Sequence, residues 1–282
     1  MPVYSLGVES ELFNYEVNNL GNDFSILKNI YEGNHELSNL LKNSKRPLFL
    51  IGEELYTLED YQNIVNHIYK IADKYDIVNE SWNGYNLLVK NASTVGGLDI
   101  GFISKEINTL DILNKANKGV IRVLYLNQFD NIDNKKFENC FVIYQGHHGD
   151  KTAKIADLIL PSACFTEKTA TYVNLEGRCQ STKIAVQLPN LAKNDLDILN
   201  AIIENLGFAK KSNDEIKSEL INTKSNFANY NEIVHRAVDF TIDQELQNID
   251  SKNQDLNLDY CYYTTNSITR ASATMNKCTE EL

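Results

Sequence analysis

The sequence has no Cys-x-x-Cys pair, no apolar run long enough to cross a bilayer, very little arginine and no excess of basic charge. Each absence removes a class of function. The five cysteines stand at 140, 164, 179, 261 and 278 in a chain of 282 residues. An iron-sulfur cluster or a structural zinc site usually draws two thiolates from one tight turn, because its ligands must converge on a small volume. This spacing therefore argues against a cluster carried by the chain itself. The odd count and wide separation fit reduced thiols better than a disulfide framework, and the default role of each cysteine is that of a small buried hydrophobe. The longest apolar runs, such as Leu48 to Ile51 and Leu158 to Leu160, are strand-sized. A membrane span needs about 18 such residues, so none is expected here. With 27 Lys and Arg against 38 Asp and Glu, the net charge of −11 also lacks the basic face that a nucleic-acid partner requires.

What is present is an ordinary globular balance with a compositional bias. The 43% apolar content is enough for a packed core, and the length allows one large or two small domains. Arginine occurs only at 46, 122, 178, 236 and 270, while Asn reaches about one residue in eight, well above its usual share. Such a bias is what an AT-rich genome writes into solvated positions. Glu9 and Glu11, with no arginine before Arg46, are the opposite of an Arg-rich, acid-poor transit peptide. No internal repeat of useful period is visible.

The first two thirds read as alternating strands and helices. Asp23 can cap a short helix with Phe24, Leu27, Ile30 and Tyr31 on one face and Gly33 at its end, and a second runs near Glu36 to Lys42. Pro47 opens the run Leu48 to Gly52, of the kind buried on both faces in a parallel sheet. Thr57 to Asp60 has the form of a capping box before Tyr61, Ile64, Val65, Ile68 and Ala72 at helical spacing. Further strands are expected at Val120 to Leu126, Phe141 to Tyr144, Asp157 to Leu160 and Thr171 to Val173. Asp195 can cap a helix carrying Leu196, Leu199, Ile202, Ile203 and Leu206, with Gly207 at the left-handed position. From about Lys210 to Asn257 polar residues dominate, and one or two amphipathic helices are expected there. This pattern predicts an α/β fold, a layered and mostly parallel sheet with flanking helices over residues 1–207, followed by a helical and irregular wrap over 208–282.

Three stretches invite a chemical reading. Gly52 is followed by Glu53 and Glu54 with no second glycine, so a dinucleotide site fails where phosphate would sit. Gly96, Gly97 and Gly101 lack the Lys-Ser/Thr of a phosphate loop and read as a flexible loop. Tyr144 to Asp150 carries His147, His148 and Asp150 at a strand end, types that could bind a metal or supply acid and base. Adjacent residues of an extended segment point to opposite faces, which opposes a shared ion and favours a hydrogen-bonded loop. No Gly-x-Ser-x-Gly elbow is present.

The stretch from Ala156 to Pro161, continuing through Thr166 to Gln180, reads physically as a short strand stopped by proline, a polar turn, a second strand and a glycine turn between Glu176 and Arg178. These residues closely resemble the ADVVLP and EKxGTYxNxEGRxQ signature of the molybdopterin oxidoreductase superfamily. Together with Tyr144 to Asp150, Leu191 to Asp195 and Tyr263 to Ser272, they are similar to one branch, the large iron-sulfur subunit of respiratory complex I, over its C-terminal part. The resemblance implies a degenerate cofactor-free scaffold domain. It gives structural roles to Asp157 and Pro161 at a strand end, to Glu167, Thr171 and Asn174 in bonding the crossing loops, and to Glu176, Gly177 and Arg178 in a tight turn. Ala170, where the pattern commonly has glycine, fits a pocket no longer shaped for close ligand approach.

The same resemblance implies no catalytic, cofactor-binding or metal residue in this chain. Iron-sulfur clusters are expected in a partner, the N-terminal half of the same subunit, as though one gene had been split. Other peripheral-arm subunits would be further partners, on the matrix side of the mitochondrial inner membrane or the cytoplasmic side of a bacterial plasma membrane. The alternative is a stand-alone α/β enzyme or metal-binding protein using His147, His148 and Asp150.

Overall fold

The computed structural model describes residues 1–7, 14–104, 106–130, 132, 136–189, 191–233, 240, 246–249 and 261–280. Much of the expected amphipathic region between 234 and 257 lies outside the described residues. The chain packs as two compact units, one of Met1–Ala92 with His235–Asp259 and one of Ser93–Val234 with Tyr260–Leu282. The division between them falls after Ala92, and the wrap expected over 208–282 contributes to both units. Each unit recruits part of the C-terminal region. The Phe240 ring lies against Tyr69 and Tyr85 in the first unit, and Arg270 bonds Asp150 in the second.

The first unit begins with a short parallel pair, β1 (Tyr4–Ser5) and β2 (Asn18–Asn19). Helix α1 (Ile26–Glu32) starts at Ser25, whose N–H donates to the Asp23 carboxylate at 2.9 Å, and ends at Gly33 with φ 93°. Helix α2 (Glu36–Asn43) follows, then strand β3 (Phe49–Gly52). Helix α3 (Tyr61–Lys74) buries Ile64, Val65, Ile68, Ile71 and Ala72, as its 3.6-residue spacing requires. The capping box at Thr57 does not form. Glu53–Thr57 instead makes a 3-10 turn, and the Thr57 hydroxyl donates to the Glu54 carbonyl at 2.7 Å. The hairpin of β4 (Val78–Asn79) and β5 (Trp82–Asn83) leads into β6 (Tyr85–Leu88), which pairs parallel with β3 from Phe49↔Tyr85 to Gly52↔Leu88. Phe49, Ile51, Tyr85 and Leu87 face the core beside α1 and α3. Leu48, Leu50 and Leu88 are exposed, so the apolar run is covered on one face and not on both.

In the second unit, α4 (Thr94–Asp99) contains Gly96 and Gly97, which are helical and not a loop. Gly96 is needed for close packing, since a Cβ there would lie 3.2 Å from Val173 Cγ2 and 2.8 Å from Ser93 Oγ. Helix α5 (Thr109–Asn117) opens on an Asn108–Asp111 capping box. Strands β7 (Val123–Asn127), β8 (Phe141–Gly146) and β9 (Leu158–Pro161) form a parallel sheet in that order, with α6 (Lys151–Ile155) between the last two. Leu124, Leu126, Val142 and Tyr144 pack with Ala116 and Ile155 on one face. The antiparallel pair β10 (Thr171–Val173) and β11 (Cys179–Ser181) follows. Then come α7 (Asp195–Asn205), α8 (Asn213–Thr223), α9 (Ser267–Ala271) and α10 (Ala273–Glu280). The described secondary structure is mixed α/β with mostly parallel sheets. No described helix is long and apolar enough to cross a membrane.

Candidate functional site at the carboxyl edge of the parallel sheet

In open parallel sheets, ligands bind outside the carboxyl ends of the strands, where loops and helix N-termini converge. Here that edge is formed by Asn127–Gln128, Gln145–Gly146 and Pro161–Ser162, with the start of α7 beside it. Gln128 adopts φ 53°, and its N–H donates to the Gln145 carbonyl at 2.8 Å, so the turn out of β7 stays tied to β8. Asp195 is the centre of the site. Asn194, which makes no side-chain cap bond, holds the helix-cap position, and Asp195 is the first residue inside the helix. It accepts from Lys168 Nζ at 2.5 Å, Gln145 Nε2 at 2.6 Å and Gln128 Nε2 at 3.4 Å. The Gln145 side-chain carbonyl in turn accepts from the Tyr125 hydroxyl. Burial first, and then the Asp195 charge, push the Tyr125 phenol above its ordinary value.

A second cluster lies on the same edge. The Tyr144 hydroxyl donates to Asp130 Oδ1 at 2.7 Å and contacts the His148 carbonyl at 3.2 Å. Arg270 Nε meets Asp150 Oδ2 at 2.5 Å, its Nη2 lies 3.8 Å from Asp130 Oδ2, and its Nη1 donates to the Thr264 carbonyl at 3.1 Å. Asp150 also takes the Lys151 N–H at 2.7 Å, so it caps α6 while holding α9. Burial, reinforced by Asp130, raises the Tyr144 phenol far above its usual value.

His147, His148 and Asp150 are not brought together as one ligand set. The bonds of the Asp150 carboxylate go to Arg270 and the α6 backbone. The two rings, expected on opposite faces, instead meet edge to face with Nδ1 atoms 2.7 Å apart, because β8 ends at Gly146 and the alternation ends with it. Burial, and secondarily His148, hold His147 below the ordinary histidine value. Among the described residues, no three His, Cys, Asp or Glu side chains converge as a metal site.

The signature residues lie along β9, β10 and their loops. Asp157 Oδ2 accepts from the Val142 N–H at 2.9 Å, and Oδ1 pairs with Lys136 at 2.7 Å, pinning the start of β9 to β8. Pro161 ends β9 beside Gly146, and its carbonyl accepts from the Lys193 N–H at 3.1 Å. Glu167 closes its own turn by accepting from the Cys164 N–H at 2.9 Å. Thr171 reaches across to the Tyr230 hydroxyl at 3.0 Å. Asn174 Oδ1 accepts from the N–H groups of Glu176 and Arg178, both at 3.0 Å, and Gly177 takes φ 77° inside that turn. Glu176 lies 3.5 Å from Arg178, which donates to the Asn231 carbonyl. The bonds of Glu167 and Asn174 are thus local, while those of Asp157, Thr171 and Arg178 join separate segments.

Comparison with known proteins decides what this arrangement belongs to. The family described as molybdopterin oxidoreductase matches residues 1–205. The chain belongs to the molybdopterin oxidoreductase family. It is 36% identical over 270 residues to the G subunit of NADH-quinone oxidoreductase from Rickettsia typhi, covering 94% of this chain and 38% of that one. It is 38% identical over 285 residues to the NADH-ubiquinone oxidoreductase 75 kDa subunit of Reclinomonas americana, covering 98% and 40%. The chain therefore spans about two fifths of the length of these curated relatives.

The family name implies a phosphate-bearing pterin that holds a metal, and the described edge residues do not fit that group. A cradle for it needs uncommitted cations or N–H donors. Lys168 and Arg270 are committed to Asp195, Asp150 and Asp130, and the Gln145 amide is bonded at both ends. Gly146, the glycine through which a ligand could approach the backbone, is covered by Tyr144. A Cβ there would lie 2.2 Å from the tyrosine hydroxyl. Ser162 Oγ is buried without a partner, but one hydroxyl does not make a cradle.

In the sequence Gln145 falls in the Tyr144 to Asp150 stretch, Lys168 in the Thr166 to Gln180 signature and Asp195 both in the Leu191 to Asp195 stretch and at an expected cap, but nothing there joins the three, and Gln128 and Asp130 carry no signal. The one local signal was Gln145, an amide closing an otherwise apolar strand.

Proposed function

We propose that this chain is a structural part of the peripheral arm of respiratory complex I, supporting NADH-to-ubiquinone electron transfer without carrying a redox centre itself. The names of the relatives supply the assembly. The observation that carries the structural role is the Asp195 network, in which side chains bond one another where the fold would otherwise open a ligand crevice. In this reading Asp157, Pro161, Glu167, Thr171, Asn174, Glu176, Gly177 and Arg178 hold loops and strands in place and take no part in electron transfer. The iron-sulfur clusters belong to the part of the subunit that this chain does not span. The assembly sits on the matrix side of the mitochondrial inner membrane, with the cytoplasmic face of a bacterial plasma membrane as the equivalent place.

Two measurements test this together. The chain should co-migrate with NADH dehydrogenase activity on a native gel of solubilised respiratory membranes. Metal analysis of the purified chain should find no stoichiometric iron, molybdenum or tungsten. Migration apart from that activity, or stoichiometric metal, overturns the proposal.

A further inference from the structure

The strands β7, β8 and β9 are parallel and adjacent in chain order. Right-handed crossovers between such strands all fall on one face of the sheet. That face is the one where Leu124, Leu126, Val142 and Tyr144 pack with Ala116 and Ile155. No connection within this sheet can therefore cover the opposite face, which carries Val123, Tyr125, Phe141, Ile143, Gln145, Leu158 and Leu160 by alternation.

This opposite face changes character along its length. Its carboxyl end is closed by Tyr125, Gln145, Asp195 and Lys168. Its amino end is apolar and open, with Val123 59%, Phe141 49% and Leu158 42% exposed. The register sets Val123 beside Phe141 and Ile143 beside Leu158, so these residues form one continuous patch and not isolated side chains. Purely parallel sheets occur almost only with both faces covered, and helices supply the cover. The first unit repeats the pattern independently, with Leu48, Leu50 and Leu88 exposed on the face of β3 and β6 that lies away from its core.

We propose that the Val123–Phe141–Leu158 patch is a docking surface for an apolar helix face of the rest of the subunit. This rests on the complex I reading above. The occupant follows from two observations: the open face needs a helix, and this chain leaves about three fifths of the length of its relatives unspanned. A second copy of the chain would lay sheet on sheet, which is the habit of antiparallel sandwiches and not of parallel sheets.

The test places the photocrosslinker p-benzoylphenylalanine at position 141 or 158, or at the exposed control position 214 on α8, in the full chain. Each variant is expressed in host cells, and the respiratory membranes are isolated, irradiated and analysed by peptide mass spectrometry. Positions 141 and 158 should crosslink to a helical peptide similar to the part of the 75 kDa subunit that this chain does not span. Position 214 should lose that product. Crosslinks from 141 and 158 only to a second copy, only to an unrelated protein, or to nothing while the chain co-migrates with NADH dehydrogenase, overturn the docking surface and leave the functional reading standing. A chain absent from that assembly overturns both.

Discussion

Replacing Asp195 by alanine is the sharpest test of the carboxyl-edge network, because one deletion strands several donors at once. Gln145 is fully buried, and its Nε2 would lose a 2.6 Å bond. An unsatisfied buried donor costs about 1–3 kcal/mol. Lys168 would lose its carboxylate at 2.5 Å, with side-chain exposures of only 12% for the lysine and 23% for the aspartate. Breaking a fully buried pair costs about 3–5 kcal/mol and an exposed one about 0–1, so this partly exposed pair contributes about 1–2 kcal/mol. Removing a carboxylate from the first turn of α7 adds about 0.3–1 kcal/mol. Because these effects share one group they do not add fully, and about 3 kcal/mol is the working figure. At about 1.4 kcal/mol per factor of ten, amides of 142–146 should exchange hydrogen for deuterium about a hundredfold faster if they open locally. Asp195→Asn keeps an acceptor for Gln145 and should lose about half as much free energy. The double variant Asp195→Ala/Lys168→Met should recover about 1–3 kcal/mol relative to the sum of the single changes. An acceleration below about fivefold for Asp195→Ala would refute the reasoning, since it would mean that the network contributes less than about 1 kcal/mol.

Two further predictions use the signature residues. Lys136, followed by the Val142 N–H, holds the Asp157 carboxyl below its ordinary value of 3.8. The stabilisation it gives should be complete above that ordinary value and lost as pH falls through the lowered folded value. A pH series of unfolding midpoints should show this acid-side loss in the native chain and not in Asp157→Asn. Gly177→Ala should cost only about 1–2 kcal/mol, because φ is 77° while nothing lies within 4 Å of the new Cβ. Gly146→Ala should be more damaging, since its Cβ would fall 2.2 Å from the Tyr144 hydroxyl. Equal melting temperatures for the two alanine variants would contradict this ranking.

Elements whose cause is local were legible in the sequence. The α3 stripe follows from residue spacing alone, Thr171 to Val173 forms its strand over the anticipated residues, and Gly33 and Gly207 take the positive φ that ends their helices. Where two local solutions compete, sequence pattern does not choose between them. Thr57 could cap a helix or close a 3-10 turn, and it closes the turn. Burial of β3 on both faces depends on what lies over it, which its own residues do not encode. The candidate site was the least legible part, because residues 128, 145, 168 and 195 meet only through the parallel pairing of β7 with β8 and the entry of α7. The His147–His148 contact has a related cause: side-chain alternation ends with β8 at Gly146, just before the pair.

The start of α7 ties these observations to the family fold. A helix N-terminus presents unpaired N–H groups and a partial positive charge, which is why phosphate groups so often settle there. In this chain the first turn already holds two carboxylates, Asp195 and Asp197. Asp195 is neutralised by Lys168 and carries two amide donors as well. The first turn thus already carries the chain's own negative charge where an external anion would have to come. An incoming phosphate would have to displace a 2.5 Å ion pair and leave the buried Gln145 amide without an acceptor. It would also face the uncovered charge of Asp195 at short range. A fold that hosts a ligand at this edge in other settings is here closed by internal bonds. Under the structural role proposed above, this closed edge serves to hold neighbouring segments in place, and the Asp195→Ala exchange measurement tests it directly.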